Sequence, residues 1–249
     1  FAVVGMAVLI EVVLHTGFEA ELDPWQLKII AAACCLVFTV LNIVSVKHTS
    51  RFQILLVVMM MAILALFIFL GSKSVAAARY AGFLDKGWPA ILATSGLVFV
   101  SFGGLTKVAS IAEEVKDPGR NIPTGMILAW FVVTVAYLGV IIITVGVVDS
   151  GELSGSHMPI SLGASKFAGT WGFAILGFAA IAAFVTTANG GILAASRSPM
   201  AMSRDKLLPS GLAGVSERFK TPHFSIILTG AFMITAIVCL DIESLVKTA

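Results

Sequence analysis

Apolar residues fall in long runs, and short clusters of charged and turn-forming residues separate them. The runs lie near residues 1 to 18, 29 to 46, 52 to 71, 90 to 113, 123 to 148, 170 to 196 and 224 to 242. Most approach the roughly 20 apolar residues that a helix needs to cross about 30 Å of hydrocarbon. The pattern predicts about seven transmembrane helices, the first of them partial. The runs lack the roughly ten-residue alternating segments of an outer-membrane barrel. Helices, which satisfy their own backbone hydrogen bonds in lipid, are therefore the expected element. Residues 72 to 88 are less apolar and contain Lys73 and Arg79, so they read as a short interfacial helix or a loop.

Composition agrees. Hydrophobic residues make up 58% of the 249 and charged residues 12%, against roughly 45–50% and about 25% in soluble domains. An integral membrane protein surrounded by lipid is expected. A net charge of +2 is too small to point to a nucleic-acid partner. Cys34, Cys35 and Cys239 sit in apolar runs without disulfide or metal-ligand spacing. His15, His48, His157 and His223 are scattered near helix ends or in loops, so neither a hydrolase nor a metal constellation is expected. Like-charge rings of the kind that line pores are also missing from the pattern.

Basic residues fall in alternate connections: Lys47 and Arg51, then Lys116 and Arg120, then Arg197, Arg204, Lys206, Arg218 and Lys220. The positive-inside rule puts these on the cytoplasmic side, so the first helix runs outward. The opposite connections hold Glu19, Glu21, Asp23, Asp85, Asp149 and Glu152, but also Lys28, Lys73, Arg79, Lys86 and Lys166, which weaken the asymmetry.

Three polar features stand out within the runs. Gly103 and Gly104 lie in the middle of the fourth run, and each Gly weakens a helix by about 1 kcal/mol relative to Ala. The pair marks either an unwound point, where free backbone groups bind a ligand, or a place where another helix packs closely. Lys107 lies roughly 12 Å from the cytoplasmic end of that run at about 1.5 Å per residue, and a central lysine costs about 2.5–3.5 kcal/mol on insertion scales. It either pairs with a substrate carboxylate, occupies a cation site, cycles a proton, or snorkels to the interface. Thr186, Thr187 and Asn189 interrupt the sixth run as ion or substrate ligands, or as interhelical hydrogen-bonding residues. In the loop after the fourth run, Asp117, Pro118 and Gly119 read as a turn, Asn121 as an N-cap and Pro123 as a first-turn residue. Glu113 and Glu114 oppose the helix dipole and call for a partner such as Lys116 or Arg120, as an inner-gate ion pair or a solvated interface.

The stretch FVSFGGLTKVASIAEEVKDPGRNIPTGMI, from Phe99 to Ile127, resembles the sixth helix and following loop of the amino acid, polyamine and organocation (APC) superfamily of permeases. LNIVSVKHTSRFQ, from Leu41 to Gln53, is similar to the loop between that family's fourth and fifth helices. ILAASRSPMAMSRDKLLP, from Ile192 to Pro209, is similar to the end of its eighth helix. The resemblance implies an all-α, LeuT-like inverted-repeat bundle. On that resemblance residues 1 to 249 would form a single transmembrane domain truncated at both ends, from the third to the ninth helix, without the other helices of the full-length protein. It implies a secondary transporter of amino acids or amines in the plasma or inner membrane, with no organic cofactor and with a proton or sodium ion as the coupling species. Ser101, Phe102, Gly103, Gly104, Leu105 and Thr106 would then contact substrate. Lys107, Thr186, Thr187 and Asn189 would serve the coupling ion or proton, and Glu113, Glu114 and Arg120 the inner gate. Where some members carry a gating aromatic this chain has Val100, which leaves Phe99 or Phe102 to cover the substrate. Where some proton-coupled members carry a lysine in the fifth helix it has Met59, Met60 and Met61, which leaves Lys107 as the replacement. A membrane receptor or scaffold that keeps the permease fold without transporting is the competing class.

Overall fold

The structure is a computed structural model that describes residues 2–18, 23–44, 46–81, 87–104, 108, 112, 115–156, 158–216, 219 and 221–240. Among these the regular elements are helical: α1 Ala2–Phe18, α2 Pro24–Val44, α3 Val46–Gly71, α4 Gly87–Ser101, α5 Pro118–Val147, α6 Ser150–Gly155, α7 Pro159–Arg204 and α8 His223–Cys239. Four stretches are long and apolar enough to cross a membrane, namely Pro24–Val44, Arg51–Ser74, Pro118–Val147 and Pro159–Arg204. Ala2–Glu11 and α8 are shorter apolar helices. The chain is an all-α integral membrane protein.

Each expected run overlaps a helix, with corrections at the ends. The run from 90 to 113 is not one continuous helix, because α4 closes at Ser101, just ahead of the glycine pair. Residues 159 to 168 are helical, and Gly169 (φ 60°, ψ −152°) breaks α7 where the expected span begins. Beyond the break α7 continues through Pro199 to Arg204, so Arg197 and Arg204 lie on a helix instead of in a loop. The short α6 contains Ser150, Glu152 and Ser154 and is too polar for an apolar-run criterion to detect. α5 begins at Pro118, with Asp117 in the left-handed region at φ 48°. Asn121 is therefore inside the first turn and not its cap: its backbone N–H donates to Asp117 O at 3.0 Å and its side chain donates to Lys116 O. Pro118, whose missing N–H is one the helix start leaves unpaired anyway, takes the first position, and Pro123, read from the sequence as a first-turn residue, lies in the second turn.

The chain divides into two compact units, residues 1–58 with 180–249, and residues 59–179. In the first, α2 packs against α1 and α8 around Val3, Val4, Cys35, Ile192 and Ile226, each at most 2% exposed. Gly230 permits the approach of α8 to α2, since a Cβ there would lie 2.5 Å from Thr39 Oγ1. In the second, Phe67, Val140, Ile143, Val147, Ala164 and Leu176 form the core, with the Phe67 and Phe167 rings 5.5 Å apart. Exposed Leu55, Phe69, Ile127 and Phe131 give the helices the apolar exterior that lipid requires.

Candidate functional site

The first group of predicted residues lies where α4 ends. Ser101 is its last residue, and Phe102 N–H donates to Phe99 O at 3.1 Å, tightening the chain into a 3-10 turn through Gly103 and Gly104. A Cβ on either glycine would meet no described atom within 4 Å, so close packing among the described residues does not account for the pair. Phe102 is half-buried and sets its ring edge-on to Tyr137 of α5, centroids 5.9 Å apart. Phe99 is 80% exposed, so of the two aromatics it is Phe102 that meets a ring among the described residues. Leu105, Thr106, Lys107, Glu113 and Glu114 lie outside the described residues, as does the side chain of Val100. Arg120 is exposed on the first turn of α5.

The second group lies on α7, and its geometry separates residues that the sequence set together. Thr186 and Asn189, three apart and so on one face of the helix, are 8% and 5% exposed. Thr187 is turned away and exposed. Thr186 Oγ1 donates to Ala183 O at 2.9 Å. Asn189 is engaged at both ends of its amide: Oδ1 accepts from Asn42 Nδ2 at 2.8 Å, and Nδ2 donates to Gln53 Oε1 at 3.3 Å. Gln53 Nε2 in turn donates to Thr186 O at 3.1 Å, a backbone carbonyl with a second lone pair to offer. Asn42 spends its other amide hydrogen on Phe38 O at 2.9 Å.

The result is a one-way chain of amides from Asn42 on α2, through Asn189 on α7 and Gln53 on α3, to the α7 backbone. Asn42 and Gln53 are the residues that sequence reasoning missed. Their signal was present, since each is an amide inside or beside an apolar run and such a group seeks an interhelical partner. The partner could not be read, because the bonds join residues 147 and 136 positions apart. Gln53, Thr186 and Asn189 face a cavity of about 40 Å³ that Phe38, Leu41, Phe52, Leu56 and Val185 complete.

A third cluster explains the weak charge asymmetry. Arg79 ion-pairs with Asp149 at 3.2 Å and donates to the carbonyls of Gly146, at 3.2 Å, and Val147. Lys166 pairs with Glu152 at 2.6 Å. Tyr80 Oη donates to Ile142 O at 2.7 Å. The segment 72 to 80, two 3-10 turns, thus covers the carbonyl end of α5, where a cation complements the helix dipole. Two of the basic residues that run against the positive-inside pattern are neutralised locally by the acids beside them.

Residues 1–248 match the model of a family described as amino acid permease. The chain is similar to the methylthioribose transporter of Bacillus subtilis, 35% identical over 86% of this chain and 46% of that protein. The branched-chain amino acid permease BcaP of the same organism is 29% identical over 74% of this chain and 40% of its own length. The vacuolar cationic amino acid transporter 4 of Arabidopsis thaliana is 30% identical over 86% and 37%. The chain thus spans less than half the length of these relatives. With a match over nearly its full length and helices suited to a bilayer, the chain belongs to the amino acid permease family.

Proposed function

We propose that the protein is a secondary carrier that moves amino acids or related small organic solutes across a plasma or inner membrane by alternating access, with a LeuT-like arrangement of helices. The observation that carries this reading is the end of α4 at Ser101 and the turn through Gly104, inside an apolar run of an amino acid permease. A helix that ends within the membrane leaves its last C=O groups without intrahelical partners, and those carbonyls with the negative end of the half-helix dipole suit an ammonium group. On this reading Ser101 to Thr106 bind the solute, and Lys107 supplies a fixed or titrating positive charge. Thr186, Thr187 and Asn189 serve the coupling proton or sodium ion, and Glu113 and Glu114 with Arg120 form the inner gate. Thr186 and Asn189 keep acceptor lone pairs beyond the bonds they already make, which supports their part in it. The relatives' names span a thiosugar and both branched and cationic amino acids, so the solute panel must include all three classes.

The test is uptake of labelled solutes into proteoliposomes with and without a proton or sodium gradient, in wild type and Lys107→Met. Gradient-driven uptake in wild type that becomes gradient-independent in Lys107→Met is expected. Unchanged coupling removes Lys107 from the mechanism, and no flux of any class favours a receptor or scaffold with the permease fold.

A further inference from the structure

The links of the amide chain differ in length and burial. Asn42 is fully buried and its bond to Asn189 is 2.8 Å long, so α2 and α7 are joined by a short link closed to solvent. Gln53 is half-buried and reaches α7 through two longer bonds, 3.3 Å to Asn189 and 3.1 Å to Thr186 O. Gly190 lies beneath it, where a Cβ would lie 3.1 Å from Gln53 Nε2. On Gln53's own face of α3, three residues on, Leu56 is only half-buried and borders the cavity. Between α2 and α7, by contrast, Cys35, Phe38, Ala188 and Ile192 belong to one buried core.

We propose that Gln53 is a releasable latch: α3 parts from α7 at its start when the two Gln53 bonds break, while the Asn42–Asn189 bond keeps α2 and α7 together. Interhelical hydrogen bonds in membranes contribute little each, so two of them hold a conformation without freezing it, as a two-state element requires. Release widens the small cavity that Gln53 and Leu56 border. Its place in a transport cycle rests on the carrier reading above, whereas the parting of α3 from α7 does not.

The experiment places a single cysteine at Leu56, with Cys34, Cys35 and Cys239 replaced by alanine. It measures the rate of modification by a small water-soluble methanethiosulfonate in proteoliposomes, without solute or gradient, together with the melting temperature. Gln53→Leu is expected to raise the rate about fivefold, the population change that losing two weak bonds allows, with little loss of melting temperature. Asn42→Leu is expected to lower the melting temperature by several degrees, since it leaves Asn189 Oδ1 buried without its donor. Gln53→Glu keeps an acceptor for Asn189 and loses the donor to Thr186 O, and an intermediate rate is expected. Unchanged rates in Gln53→Leu overturn the latch, and if that variant does not fold, an unchanged rate in Gln53→Glu does so. A protein that carries no solute yet shows the rise keeps the latch and overturns only its place in a cycle; flux without the rise overturns the latch alone.

Discussion

At the residue scale, glycines and amides determine how the helices meet. A Cβ on Gly146 would overlap Tyr80 Oη and lie 2.8 Å from Val75 Cγ1, just where segment 72 to 80 covers the end of α5. Gly146→Ala must push this segment off the carbonyls that Arg79 and Tyr80 cap, and overpacking of this kind costs about 1–3 kcal/mol. A lowered melting temperature in detergent, with helicity by circular dichroism retained, is the expected outcome; a wild-type melting temperature would show that the segment yields freely. The glycine pair that follows α4 differs, because no described neighbour calls for it. The sequence singled out Gly103 and Gly104 by composition, since two glycines are conspicuous in an apolar run. It could not find Gly146, whose importance comes from a tyrosine 66 positions earlier in the chain.

At the element scale, helix starts and breaks follow local rules, and their exact positions follow from residues with special backbone freedom. α5 starts at Pro118 because proline is pre-organised for the first helical position. α7 breaks at Gly169, with φ 60° and ψ −152°, a region that essentially only glycine enters. A Cβ at 169 would meet no described atom within 4 Å, so the cost of Gly169→Ala is one of backbone conformation alone, about 1–3 kcal/mol. Thermal unfolding is the measurement, and a variant as stable as wild type would mean that the two parts of α7 realign into a continuous helix at no cost. Apolar runs predicted the helices well but misjudged their ends by several residues. A run records where lipid-compatible residues stop, while a helix stops where its hydrogen bonds do. α7 thus passes Arg197 and reaches Arg204, and the polar α6 escaped notice.

At the scale of the whole molecule, the placement of basic residues predicts which face lies in the cytoplasm. A single cysteine at Ser210, in the basic connection after α7, is expected to react only with reagent applied from the cytoplasmic side. One at Ser154 of α6 is expected to react only from the opposite side, and the reverse pattern would invert the orientation. The sequence alone determined that the protein is helical and lies in a membrane, because backbone groups in lipid must pair within their own segment and that demand is met locally. It also marked the end of α4, the permease resemblance and the distribution of charge, all of them legible within short stretches of chain. Only the tertiary structure decided which polar side chains meet: that Thr186 and Asn189 share a buried face while Thr187 does not, that Asn42 and Gln53 complete their network, and that Arg79 caps α5 beside Asp149. These pairings depend on how distant helices pack, and no periodicity along a single helix records which neighbour its polar residues will face.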